Sequence, residues 1–251
     1  MNTPSIDKNE LRSWLRLSLT AGVGNDAARR LLACFGSPHA VFEQSEAALR
    51  HVVSTAQAQA LLHEPHELPV HVVRTQQWLA QSDNGHQRGI RHAVWTLGDA
   101  HYPNALLQLA DPPLMLYVQG QTEWGLGHAV SVVGSRNPTP QGAQTAEQFS
   151  EALGAAGLCV VSGLALGVDG AAHRGALRGA KAAHANAAGD GLWRTVAVVG
   201  TGLDRVYPKQ HHILAHDIAQ HGVLISEYPL GTPPLAQNFP KRNRLIAALG
   251  L

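Results

Sequence analysis

Two short segments hold the residue types from which chemistry would be expected. Asn238-Phe239-Pro240-Lys241-Arg242-Asn243-Arg244 sets three cations beside an aromatic ring, at what reads as the start of a helix. Gly134-Ser135-Arg136 sets a guanidinium directly after a glycine that permits a tight turn. Cations neutralise phosphates, and an aromatic face accepts an unstacked base, the combination that holds single nucleic-acid strands. Ser162-Gly163 adds a hydroxyl and a point of close backbone approach. The plain alternative is that Lys241 and Arg242 are solvated, Phe239 is a core residue, and the glycines and prolines only make turns. Neither segment alone decides between the two readings.

What favours a shared site is the pattern of the chain between these segments. Short apolar runs at Leu114–Val118, Ala129–Val133, Leu158–Val161, Val196–Val199 and Val223–Ile225 alternate with helical periodicity at Ala143–Ala156, Ala171–Ala180 and His211–Gln220. Such alternation predicts an α/β fold, a Rossmann-like, doubly wound and mostly parallel sheet buried on both faces, over residues 90–251. In that fold the strand-to-helix loops emerge along one edge of the sheet. Here those loops are Gly134–Gly142, Ser162–Gly170, Gly200–Pro208 and Ser226–Gly231. In the first, Thr139 is placed to cap a helix that Pro140 begins, leaving amides at a positive helix end for an anion. Glu227 and Asp169, on the same edge, are candidate acid–base groups for a hydrolase.

Residues 1–82 read differently. Apolar residues recur at helical spacing and are broken by Gly22, Gly24 and Gly36-Ser37-Pro38, which predicts a small all-α unit. Thr20–Asp26 resembles a helix-hairpin-helix turn, although an ordinary turn between packed helices explains it better. The polar stretch Gln81–Gly89 suits a linker between the two units.

The bulk numbers exclude several classes. The net charge of +1 means that any nucleic-acid contact must be local. Cys34 and Cys159 form no disulfide framework, and neither a signal peptide nor a membrane span is visible, so a cytoplasmic protein is expected. His212 and His216 share a helical face but lack the glutamate of a hydrolytic zinc motif, and no metal is expected. Gly134-Ser135-Arg136 lacks the further glycines of a dinucleotide fingerprint and no phosphate-binding P-loop occurs, so no cofactor is expected.

Taken together, the motifs resemble the DNA-processing protein A (DprA, or Smf) family, from about Leu97 to Gly250. The resemblance rests on Tyr102-Pro103, Asp111–Tyr117 with Gly120, Val133–Arg136, Ser162–Ala165 with Gly167-Val168-Asp169, Ala172–Leu177, Gly200–Asp204 with Tyr207-Pro208, Ser226–Pro229, Asn238–Pro240 and Arg242–Arg244. It implies a non-enzymatic protein that binds and protects single-stranded DNA during natural transformation, helps to load the RecA recombinase, and dimerises through its Rossmann-like domain. It also implies that residues 1–82 adopt a fold similar to a sterile alpha motif. Carried over by motif, the DNA site comprises Gly134, Ser135, Arg136, Ser162, Gly163, Asn238, Phe239, Lys241, Arg242, Asn243 and Arg244.

Three departures bear on what to expect. Leu166 stands where many members carry Arg or Lys, which removes one expected phosphate contact. Residues Lys181–Trp193 read as an insertion at the sheet edge opposite the site. The sequence stops at Leu251, where the family continues with further strands and often a winged-helix domain; an open sheet lacking those strands is expected to expose an apolar edge and self-associate. The rival readings are a nucleoside-monophosphate hydrolase and a nonfunctional remnant of a longer gene.

Overall fold

The structure, a computed structural model, describes residues 6–83, 89–183 and 191–250. Six helices come first: α1 (Lys8–Leu19), α2 (Asn25–Phe35), α3 (Pro38–Phe42), α4 (Glu46–Arg50), α5 (Thr55–Leu62) and α6 (Leu68–Ala80). Asp7, Ser37, Ser45 and Ser54 cap the first, third, fourth and fifth by accepting first-turn amides, which fixes where each begins. The turn at Thr20–Asp26 serves packing: the Gly22 carbonyl accepts from Gln57 at 2.9 Å and the Asn25 side chain donates to the Asp111 carbonyl at 3.4 Å.

Six strands follow: β1 (Arg91–Thr96), β2 (Met115–Gly120), β3 (Ala129–Ser131), β4 (Cys159–Ser162), β5 (Thr195–Val198) and β6 (Val223–Ser226). They form one sheet in the order β1-β2-β6-β5-β4-β3. The four strands from β3 to β6 run parallel, while β2 pairs antiparallel with both β1 and β6. Helices α7 (Pro140–Ala155), α8 (Val168–Ala183), α9 (His212–His221) and α10 (Asn238–Leu249) connect or follow the parallel strands. The fold is the expected Rossmann-like one, extended by a strand the apolar runs did not reveal. As an edge strand β1 is buried only over its second half, so Arg91 and His92 hide it from a search for continuous apolar residues.

Both faces of the sheet are covered. On one, Tyr117, Ala197 and Leu224 share a core with Leu214, Ile218 and the helical residues Leu11, Leu31 and Trp78. The helical unit is therefore packed onto the sheet: the Trp78 ring lies 6.0 Å from that of Tyr117 and stacks on His92 at 4.2 Å. Helices α7 and α8 meet backbone to backbone on this side, since a Cβ on Gly175 or Gly179 would collide with the Glu147 or Glu151 carbonyl. On the other face Leu116, Val118, Val161, Val196 and Ile225 pack against Leu245, Ile246 and Leu249 of α10. Each such fully buried aliphatic side chain contributes roughly 1.5–3 kcal/mol.

Among the described residues β3 pairs on one side only. Of the expected insertion, residues 184–190 lie outside the described residues, as do residues 84–88 of the expected linker. The described ends of the insertion sit where α8 finishes and β5 begins, at the strand ends opposite the loop edge. No described helix is long and apolar enough to cross a membrane.

Candidate nucleic-acid interface

The loops after β3, β4, β5 and β6 converge on the edge formed by the C-terminal ends of the parallel strands. Their shape is set by a buried carboxylate and a buried guanidinium. Asp169, in the first turn of α8, accepts from the Ala165 amide at 3.4 Å and faces the amides of Gly134 and Gly163, so one side chain draws the first loop to the second. The Val168 amide adds a bond to the Ser135 carbonyl at 3.1 Å. From the other side Arg242 donates to the Gly163 carbonyl at 2.7 Å and to the Val198 carbonyl. Burial raises the Asp169 pKa, opposed by the charge of Arg242 and the three amides; burial likewise lowers that of Arg242.

The remaining loops are fixed in the same manner. Asn238 donates to the Gly200 carbonyl at 3.1 Å, and the Tyr228 hydroxyl donates to the Asn238 carbonyl at 3.2 Å. The Ser226 hydroxyl donates to the Thr201 carbonyl at 2.6 Å. Arg244 bridges two carboxylates, Glu227 at 2.6 Å and Asp111 at 3.1 Å. Burial raises the pKa of Glu227, with Arg244 opposing it.

What this frame leaves facing solvent is a small group of side chains. The Arg136 guanidinium lies 4.9 Å from the centroid of the Phe239 ring, a cation–π distance. Tyr207 packs near Phe239, its ring 5.7 Å away and tilted by 32°. Between them is a cleft of about 50 Å³, bordered also by Leu166, Ala165 and Thr201. That volume accommodates one or two waters and no nucleotide, so a ligand here must lie across the mouth. Ser135, Lys241 and Asn243 are exposed beside it.

Residues 93–251 match the family model described as DNA recombination-mediator protein A. The chain belongs to this family. Protein Smf of Escherichia coli is 34% identical over 241 residues, which cover 94% of the chain and 57% of that protein. Protein Smf of a Synechocystis strain is 41% identical over 158 residues, 61% of the chain and 37% of that protein. The chain thus spans about a third to somewhat over half the length of these two relatives. The crystal structure of DNA processing protein A from Streptococcus pneumoniae superposes with a TM-score of 0.69 at 27% identity, covering 98% of this chain and 76% of that one. A solved structure of DNA processing protein A from Helicobacter pylori, a protein with a unique single-stranded DNA binding mode, superposes with a TM-score of 0.50 at 33% identity, covering 62% of this chain and 66% of that one.

The family motifs divide into those that present groups and those that build the frame. Gly134, Ser135, Arg136, Lys241 and Asn243 are exposed and Phe239 is half-buried, all on the loop edge. Ser162 is not available to a ligand: it is buried, with its hydroxyl donating to the Val132 carbonyl at 2.6 Å. Gly163 is buried, and a Cβ there would meet Arg242 and Asp169. Asn238 and Arg242 are buried in their own hydrogen bonds, and Arg244 is held by two carboxylates.

The expected anion cradle at α7 is also smaller than its sequence suggests. Thr139 does cap the helix and Pro140 does begin it, yet Thr139 takes the Gly142 amide and Ser135 the Asn137 amide, while Asp169 faces that of Gly134. Of the acid–base candidates, Asp169 is committed to holding loops, whereas Glu227 pairs with Arg244 through Oε2 and keeps a buried Oε1 without a hydrogen-bond partner. Tyr207 is the site residue that motif reasoning passed over, and its place on the third loop was the signal that could have found it. No group of three His, Cys, Asp or Glu among the described residues is placed to hold a metal ion.

Proposed function

We propose that this edge binds single-stranded DNA without turning it over. The observation that carries the reading is Arg136 over Phe239, with Tyr207 beside them, at the mouth of a cleft too small to enclose a nucleotide. A strand crossing the mouth would set phosphates against Arg136 and Lys241 and rest a base on the Phe239–Tyr207 surface. Gly134, Ser135 and Asn243 would flank it, while Ser162, Gly163, Asn238, Arg242 and Arg244 hold the loops in place. A hydrolase is disfavoured because Asp169 is held among loop amides, Glu227 is paired with Arg244, and the cleft is too small to enclose a nucleotide.

The relatives' names support a role in DNA processing, and the family resemblance extends this to protecting incoming strands during natural transformation. Loading of RecA and homodimerisation through the α/β unit rest on that resemblance alone. The division into units 1–82 and 90–251 rests on the change of sequence pattern across the polar stretch Gln81–Gly89, and residues of both units share part of one core.

The test is fluorescence anisotropy with labelled oligothymidine and a matched duplex at two salt concentrations, on the wild-type chain and Arg136→Ala. The reading expects preference for the single strand and weakening with salt, and a log–log salt slope about 0.7 shallower in the variant, one phosphate contact's worth. A folded wild-type chain that binds neither probe, or one that releases free base from a nucleoside monophosphate, would refute it.

A further inference from the structure

The cleft at Arg136 and Phe239 is the first of three that run together around the 199–208 loop. It shares Val199 and Tyr207 with a second cleft of about 90 Å³ on the flank of α9. The second shares Leu203, Arg205, Val206 and His212 with a third, a much larger groove of about 620 Å³. This groove lies between α6 and the sheet, so one wall belongs to the helical unit and the other to the α/β unit.

We infer that the DNA strand does not end at the loop edge but continues past Tyr207 and Arg205 into the groove beside α6. This rests on the reading of the loop edge given above. Two features fit a polyanion. The groove is faced by two exposed guanidinium side chains, Arg74 and Arg205, against the single carboxylate of Asp204. The Arg205–Asp204 pair is loose, at 3.8 Å with the Arg side chain 40% exposed, so Arg205 is free to exchange to a phosphate.

Two further features fit a flexible single strand. The floor includes Leu203, Val206 and Leu230, apolar ground for bases or sugars, and the volume lies within the range that holds ligands. Along the second cleft only Arg205, Tyr207 and His212 are exposed, a footing for one strand rather than for two.

The position gives the helical unit a function in binding. Arg74 is anchored to the loop edge itself, donating to the Leu230 carbonyl at 3.0 Å. Gln77, one turn further along α6, is exposed on the same wall, so a charge introduced there meets the ligand and disturbs no internal bond that the described structure gives to it.

The experiment compares a short oligothymidine of about 6 nucleotides with one of about 20, near the lower end of single-strand site sizes and beyond their upper end. Both are titrated by anisotropy against the wild-type chain, Arg205→Ala, Gln77→Glu and Arg136→Ala, each checked for an unchanged melting temperature. The inference expects Arg205→Ala and Gln77→Glu to weaken the long probe about tenfold, the equivalent of one or two lost contacts, and to leave the short probe unchanged. Arg136→Ala weakens both.

Wild-type binding of the long probe by Arg205→Ala and Gln77→Glu, with Arg136→Ala still defective, would overturn the extension and leave the loop edge standing. Equal weakening of both probes by Arg205→Ala would place Arg205 in the loop-edge site and overturn it too. Thymidine monophosphate competing away the advantage of the long probe would make the groove a nucleotide pocket. A folded wild-type chain that binds neither probe fails the loop-edge reading itself, and the extension with it.

Discussion

Asp169 and Arg242 close on Gly163 from the same side: a Cβ built there would lie 2.5 and 2.6 Å from the two terminal nitrogens of Arg242 and 2.6 Å from Asp169 Oδ2. Only a glycine leaves room for the carboxylate that gathers the loop amides and the guanidinium that gathers the loop carbonyls. The frame of the site is therefore a buried pair of opposite charges, each satisfied mainly by backbone.

It follows that Arg242→Ala acts first on stability. Removing the guanidinium leaves the Gly163 and Val198 carbonyls without their donor and takes away the charge that opposes burial of Asp169, a loss of about 1–3 kcal/mol for each stranded group. Urea unfolding should show this, whereas Arg136→Ala, an exposed change, should stay within about 0.5 kcal/mol of wild type. If Arg242→Ala unfolds like wild type and loses only DNA affinity, Arg242 is a DNA ligand after all and the frame described here is wrong.

Phe239 supplies a different kind of contact. Stacking on an aromatic ring is worth roughly 1–3 kcal/mol per base and involves no counterion, so Phe239→Leu should weaken oligothymidine binding by about 5- to 150-fold while leaving the salt slope as in wild type. Anisotropy titrations at several salt concentrations separate the two effects. A shallower slope would mean that the ring acts only by holding Arg136 in place.

Most of the fold, and the address of the site, can be read from the chain. The apolar runs at Ala129, Leu158, Val196 and Val223 mark the parallel strands, and the glycine-rich loops after them mark the edge. Which basic residues face solvent is harder to see, because a cation count does not say on which side of a helix each cation lies. Yet Asn238, Arg242, Leu245, Ile246 and Leu249 fall at helical spacing on one stripe, the stripe that packs on the sheet. Read by periodicity, Arg242 belongs inside and Lys241 outside. The pairing of Arg244 with Asp111 and Glu227 is not legible in this way, since its partners lie 133 and 17 residues away.

Leu166 gives a gain-of-function test. It is 40% exposed on the border of the cleft that Phe239 and Arg136 also line. Leu166→Arg sets a new cation where a crossing strand would run. Oligothymidine affinity at low salt should rise, and the salt slope should steepen by about 0.7, with little change in unfolding. An unchanged slope would mean that the strand does not pass this side of the cleft.

His173 makes the fold sensitive to acid. It is fully buried on α8, its Nδ1 donates to the Thr195 hydroxyl at 2.7 Å, and that hydroxyl donates to the Val160 carbonyl at 2.6 Å, which places a ring proton on Nδ1. Burial, with His211 and Arg242 nearby, lowers its pKa from 6.5 to about 3. The unfolded chain therefore takes up this proton before the folded one does. Stability is complete above pH 6.5, falls as pH drops below it, and stops falling from this source near pH 3. The loss should be about 2 kcal/mol by pH 5, at 1.36 kcal/mol per pH unit. Urea midpoints measured from pH 7.5 to 5 should fall along that slope in wild type and more shallowly in His173→Gln, which keeps a donor for Thr195 and has nothing to titrate. Parallel slopes would show that His173 is already protonated in the fold, or that water reaches it.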